Sequence, residues 1–210
     1  MSIKPLVPLS RKLTLVLKIL VVLRAGSLLI ILVPTLMGRP LDDQAMTTAP
    51  SWLAVLVTVV GTGFLAALAV GVVLQLVWIY RINTNLHAMR APGIQFSPAW
   101  SVGVFFIPLV NLIAPYMVLH EIIDVSHRGK SAPTELIAWF WGLLLAGWVV
   151  PLAAAMLFAG KELPLWATFT MEEILPEVLA LGMSVVVLRI VTAVTRAYTA
   201  NYDEQRGCRI

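Results

Sequence analysis

From Ser51 to Tyr80 the chain carries no charged residue, and that run constrains the fold more than any other feature. At about 1.5 Å of rise per residue, a helix over it exceeds the roughly 30 Å hydrocarbon core of a bilayer. Two further uncharged runs follow, Ala91 to His120 and Leu136 to Gly160. Charged residues make up 12% of the chain and hydrophobic ones 60%, whereas soluble domains average about a quarter charged. The runs show no period-two alternation, and a bilayer admits only helices or closed barrels. The expected class is therefore all-α, an integral membrane helical bundle.

Five segments are expected, about 13–37, 51–80, 98–124, 135–159 and 173–198. The second continues as an amphipathic extension through Met89. The loops between them are short, so residues 1–210 read as one membrane domain. Basic residues before the first apolar run resemble a secretory signal, but the run is long and Pro34 to Arg39 makes a poor cleavage site. An uncleaved first helix is expected. The formal net charge of +4 comes from basic residues at segment ends. Positive-inside placement and anionic headgroups explain them without nucleic acid. Cys208 is the only cysteine, so no intramolecular disulfide can form.

Arginine and lysine counts decide whether the third segment crosses. Leaving out Arg24 and Arg189, which lie within segments, a crossing third segment puts seven basic residues on one face and six on the other. If that segment dips in and returns, the split becomes eleven to two, as the positive-inside rule expects. Local chemistry agrees. Ser97-Pro98 reads as an N-cap followed by a first-turn proline. Pro108 and Pro115 would each remove an interior helical hydrogen bond, and Asn111 between them can satisfy freed backbone groups. The expected architecture is four spanning helices plus a Pro-broken re-entrant hairpin, with both termini cytoplasmic. Five spanning helices are the alternative.

Several constellations carry candidate chemistry. Gly63, Ala67 and Gly71 form a four-residue small stripe that lets another helix approach closely, more readily within the chain than between copies. Gly142 and Ala146 offer a weaker counterpart. Gly61-Thr62-Gly63 superficially matches a dinucleotide fingerprint but has no preceding strand, so that reading fails. His87, His120 and His127 lack metal-ligand spacing, so neither a metal nor a cofactor is expected. His120 beside Glu121 could relay protons, although such a pair at a helix end more commonly faces headgroups. Arg24 and Arg189 either snorkel to the interface or pair with Glu121 and Asp124 in an inner-leaflet cluster. Thr170 to Glu173 resembles a capping box before the last helix. No nucleophile elbow, triad or phosphate loop is present.

Trp78-Ile79-Tyr80-Arg81, Asn85-Leu86, Phe96-Ser97-Pro98-Ala99-Trp100, Gly103, Phe106-Ile107-Pro108, Asn111-Leu112, Pro115-Tyr116 and Glu121 resemble the signature of an uncharacterised bacterial membrane-protein family, a domain of unknown function. The likeness covers about residues 76–124. It implies a multi-pass protein of the bacterial cytoplasmic membrane and supplies no catalytic residues.

Three functions fit these features. A non-enzymatic accessory or assembly module accords with short loops and a close-packing face, its partners being the bilayer and other membrane proteins or a second copy. A small-solute or ion transporter or channel accords with broken half-helices. A lipid-modifying enzyme would use Asn85, His120 and Glu121.

Overall fold

The computed structural model describes residues 6–36, 51–128, 132–158 and 174–207. Among them every regular element is helical: α1 (Val7–Leu36), α2 (Ser51–Ala88), α3 (Pro98–Gly103), a 3-10 turn (Val110–Leu112), α4 (Ala114–His127), α5 (Glu135–Leu157) and α6 (Leu175–Gly207). Four stretches are long and apolar enough to cross a membrane: Val7–Leu32, Thr58–Ala88, Glu135–Ala154 and Leu175–Asn201. The protein is a multi-pass membrane helical bundle. The first helix starts earlier than expected, and the last runs past Tyr198.

The end of α2 follows from its local chemistry. Ala91 N–H donates to Leu86 O at 3.0 Å and Arg90 N–H to His87 O at 3.0 Å. This is a Schellman cap, with Arg90 in the left-handed position at φ 51° where glycine is usual. The arginine's charge favours a helix C-terminus, and Pro92 cannot prolong the helix.

Residues 98–127 are broken, as the prolines suggest. Ser97 Oγ accepts from Trp100 N–H at 3.2 Å, and Pro98 occupies the first turn of α3. The helix ends after six residues. Beyond Pro108 the backbone turns through Leu109 at φ 63°. Pro115 departs from expectation: it stands in the first turn of α4, where no interior bond is lost. Asn111 also departs. Its N–H donates to Ile107 O at 2.8 Å, but its side chain is exposed and caps nothing. The longest piece, α4, has 14 residues, about 21 Å at 1.5 Å per residue and short of a bilayer core.

Packing divides the chain into two compact units. The first comprises residues 1–17, 70–141 and 186–210. Its core takes Leu9 and Leu13 from α1, Trp78, Ile79 and Ile82 from α2, Val118 and Ile122 from α4, and Val191 and Val194 from α6. In α1, α4 and α6 the set recurs at three- or four-residue spacing, so each buries one stripe, whereas α2 is enclosed all round from Ile82 to Leu86. Where these stripes lie at bilayer depth, the alternative to burial is lipid rather than water. Dispersion and fit then hold them more than the hydrophobic effect does.

The second unit comprises residues 18–69 and 142–185. Among its described glycines the closest contact is at Gly182, where an added Cβ would meet Leu143 Cδ1 at 3.2 Å. The stripe on α2 does not play the part expected of it. Gly63 is exposed, with nothing within 4 Å of an added Cβ, and Ala67 is only half-buried. Gly71, in the first unit, is buried. Gly142 likewise meets nothing. In this unit the glycine in closest contact is Gly182 on α6.

Candidate polar site

In the first unit the loop after α2 is strapped at Phe96. His87 Nε2 lies 2.9 Å from Phe96 O, and since a carbonyl only accepts, that nitrogen carries the proton. Phe96 N–H donates to Glu121 Oε1 at 3.0 Å. One residue thus ties α2 to α4. Gly93 makes the turn possible at φ 91°, and a Cβ there would also stand 3.6 Å from Val125 Cγ2.

A cavity of about 460 Å³ lies where the ends of α2 and α4 meet the C-terminal part of α6. Leu86 and Arg90 line it from α2 and its cap, Asp124, Ser126 and Arg128 from α4 and its cap, and Tyr198 and Asn201 from α6. Arg128, like Arg90, is left-handed at φ 51°. Such a conformation costs a non-glycine residue about 1–3 kcal/mol, so the surrounding fold holds both in place. Asn201 Nδ2 donates to Ser126 O at 2.5 Å. Ser126 is 2% exposed, and its Oγ has no hydrogen-bond partner among the described residues. A second, shallower recess of about 390 Å³ is lined by Gln95, Tyr116, His120, Glu121 and Asp124.

The second unit contains a different constellation. Arg24 Nη1 and Glu177 Oε1 are 2.5 Å apart, with side chains 22% and 19% exposed. The guanidinium carbon lies 4.2 Å from the centroid of the Phe64 ring. The remaining oxygen, Glu177 Oε2, is buried and has no hydrogen-bond partner among the described residues. Both residues fall within candidate spans, where charges require partners.

The expected inner-leaflet cluster is therefore not formed as drawn. Arg24 pairs with Glu177, and Glu121 serves the Phe96 amide. Asp124 and His120 are exposed. Arg189 is exposed, and its guanidinium makes no hydrogen bond or ion pair among the described residues. The signature residues divide by role. Trp78, Asn85 and Pro115 are buried, Tyr80, Trp100, Pro108 and Tyr116 are exposed, Arg81 is half-buried, and Ser97 and Pro98 start α3. Tyr116 stacks loosely near His120 and Trp141, with centroids 6.1 and 6.5 Å apart. The supposed capping box at Thr170 to Glu173 lies outside the described residues.

Sequence reading missed Glu177, Ser126, Asn201 and the His87–Phe96 bond. Glu177 had a usable signal, as a lone acid within an otherwise apolar run. The others had none, because their roles depend on which helix ends meet. Among the described residues no three His, Cys, Asp or Glu gather as a metal set.

A family described as a domain of unknown function (DUF4328) matches residues 39–196. No curated protein and no solved structure matches the chain.

Proposed function

The chain belongs to the DUF4328 family, and from that premise we propose that it is a non-enzymatic accessory or assembly module of a bacterial cytoplasmic-membrane complex. The observation that carries this reading is how its ionisable groups are used. Glu121 and His87 hold Phe96, and His127 Nδ1 lies 2.7 Å from Ile123 O in its own helix. Groups committed to main-chain bonds are poor proton donors and acceptors for a substrate. Asn85 is fully buried while His120 is exposed, an arrangement that does not favour the lipid-modifying reading. Gly61 and Gly63 on α2 meet nothing within 4 Å, leaving room for a neighbouring helix.

In this reading the helix ends gathered in the first unit face the cytoplasm. Arg11, Lys12, Arg81, Arg90, Arg128, Arg189 and Arg196 belong to that unit, and the positive-inside rule favours their retention. The end of α2 and the end of the candidate span in α6 line one cavity, so an even number of crossings separates them. Helices α5 and α6 supply two, which supports a returning rather than a crossing 98–127 segment. Its tip carries the exposed Phe106, Leu109 and Ile113, suited to entering the apolar layer. Gln95→Cys and Glu135→Cys, each in a Cys208→Ser background, test this. Both should resist an impermeant thiol reagent in intact cells and react after permeabilisation. Labelling of Glu135→Cys alone in intact cells would overturn it.

The module itself is tested by a photo-crosslinking residue at Leu65, which is 63% exposed. One discrete protein adduct in native membranes is expected, and lipid adducts alone would refute the reading. A transporter or channel is the second reading, favoured by the Arg24–Glu177 pair within candidate spans. It predicts solute or ion flux in proteoliposomes that is lost in Glu177→Gln.

A further inference from the structure

The cavity at the meeting helix ends is unused by the module reading, and its chemistry is specific. Arg90 and Arg128 line it from two separate helix caps. Guanidinium is the side chain best suited to phosphate, through paired N–H donors in a fixed fork. Ser126 belongs to the same lining, is nine-tenths buried and more, and its hydroxyl is enclosed with no hydrogen-bond partner among the described residues. A buried hydroxyl left unpaired is costly, so it is a group awaiting an acceptor. Asn201 is held in place through Ser126 O.

Charge narrows the ligand. Two arginines and Asp124 give the lining a formal charge of +1. That balances a singly charged phosphodiester better than a doubly charged monoester. Asp124, an acceptor when ionised, suits a hydroxyl or ammonium carried beside the phosphate. Location narrows it further. The candidate spans end at Ala88 and Asn201, and both ends adjoin this cavity, so it opens at headgroup level. Leu86, Met89 and Val125 add apolar wall, which suits the glycerol and upper acyl carbons of a lipid.

We propose that this cavity binds the phosphodiester headgroup of a membrane phospholipid, with Arg90, Arg128 and Ser126 on the phosphate and Asp124 on the headgroup's hydroxyl or ammonium. The site is independent of whether the protein acts as an accessory module.

The test uses the full chain, purified and delipidated in mild detergent. Phosphatidylglycerol, phosphatidylethanolamine and soluble glycerophosphoglycerol are each titrated and read by native mass spectrometry and thermal shift. The arginines are replaced by asparagine, the residue that best tolerates their left-handed backbone after glycine. Arg90→Asn/Arg128→Asn should weaken retention of one lipid by at least about tenfold, as expected for losing two charge-assisted contacts. Ser126→Ala should weaken it by about threefold with the fold intact. Arg196→Gln, an exposed charge outside the cavity, should change nothing. Preference between the two lipids identifies Asp124's partner, and Asp124→Asn should reduce that preference. Comparable binding of the soluble diester would retain the phosphodiester chemistry but overturn the lipid source. Equal losses in the Arg196 control, or retention unchanged in the double variant, would overturn the site altogether.

Discussion

The two halves of α2 differ sharply in burial. From Trp78 to Leu86 it is heavily buried, and Ile79, Ile82, Asn83 and Asn85 are fully enclosed. From Gly61 to Val73 it is mostly exposed, with Phe64 and Ala67 half-covered and only Gly71 buried. Apolar content does not separate the halves, since both are apolar enough to lie within one candidate span. What separates them is what they meet. The later half packs within a unit that also contains α4, and it encloses asparagines and a tryptophan that carry polar atoms into that core. The earlier half offers glycine and alanine, which form a contact only if something else supplies the bulk. Hydropathy locates the helix, and polar and aromatic residues show which part of it is committed to the fold.

The largest expected effect contrasts the halves directly. Trp78→Ala removes a side chain only 1% exposed and should cost about 3–5 kcal/mol. Leu65→Ala on the exposed half should stay within about 0.5 kcal/mol. Thermal unfolding in detergent measures both, and equal costs would erase the distinction. Trp78→Phe sharpens it. The indole N–H has no hydrogen-bond partner among the described residues, so losing it should cost far less than losing the ring.

Next comes the ion pair, which gives the second unit a polar anchor of its own. Arg24→Met alone leaves Glu177 charged and partly buried, and should cost roughly 3 kcal/mol. Arg24→Met with Glu177→Leu should recover most of that loss, because an apolar replacement of a buried pair is often neutral. A double-mutant cycle with coupling below about 0.5 kcal/mol would mean that each charge reaches the interface by itself.

A smaller effect belongs to the strap in the first unit. Glu121→Gln keeps an acceptor for the Phe96 amide but loses its charge, for about 1 kcal/mol. Amide exchange at Phe96 should accelerate even where the melting temperature hardly moves. Unchanged protection would mean that the amide is held by something other than Glu121.

These sites were unequally legible. The four spans and the broken 98–127 segment were readable because each is a local property: uncharged length, a Ser-Pro start and interior prolines. The helix of α2 does continue past Tyr80, but it is enclosed from Ile82 to Leu86 rather than amphipathic. The charge pairing was not readable. Arg24 has acids available in several segments, and periodicity cannot say that it meets Glu177 rather than Glu121. The cavity was hidden for the same reason, since Arg90, Ser126 and Asn201 are far apart in the chain and share no local pattern. The Gly63–Ala67–Gly71 stripe was legible as a pattern but not in what it meets, since Gly63 is exposed, Ala67 half-buried and Gly71 buried. Small residues at four-residue spacing permit close approach but do not supply a neighbour, and within this chain the close approach went to Gly182 and Leu143.

The smallest expected effect is the one that tests what the exposed half of α2 is for. Gly63→Leu adds a large side chain where the structure offers open space. Glycine within a helix is less favourable than leucine by roughly 0.5–1 kcal/mol, so the variant should melt at or slightly above the wild-type temperature. If instead it destabilises by about 1–3 kcal/mol, as overpacking does, the stripe is an internal contact and the contrast between the halves fails. An unchanged or raised melting temperature has two meanings that crosslinking separates. A face that meets only lipid will give the same Leu65 adducts with glycine or leucine at 63. A face that receives a partner helix needs the backbone to come close there, and the added isobutyl group should abolish the protein adduct while the fold stays intact. Loss of association without loss of stability is the signature that a small-residue face is kept open for another chain.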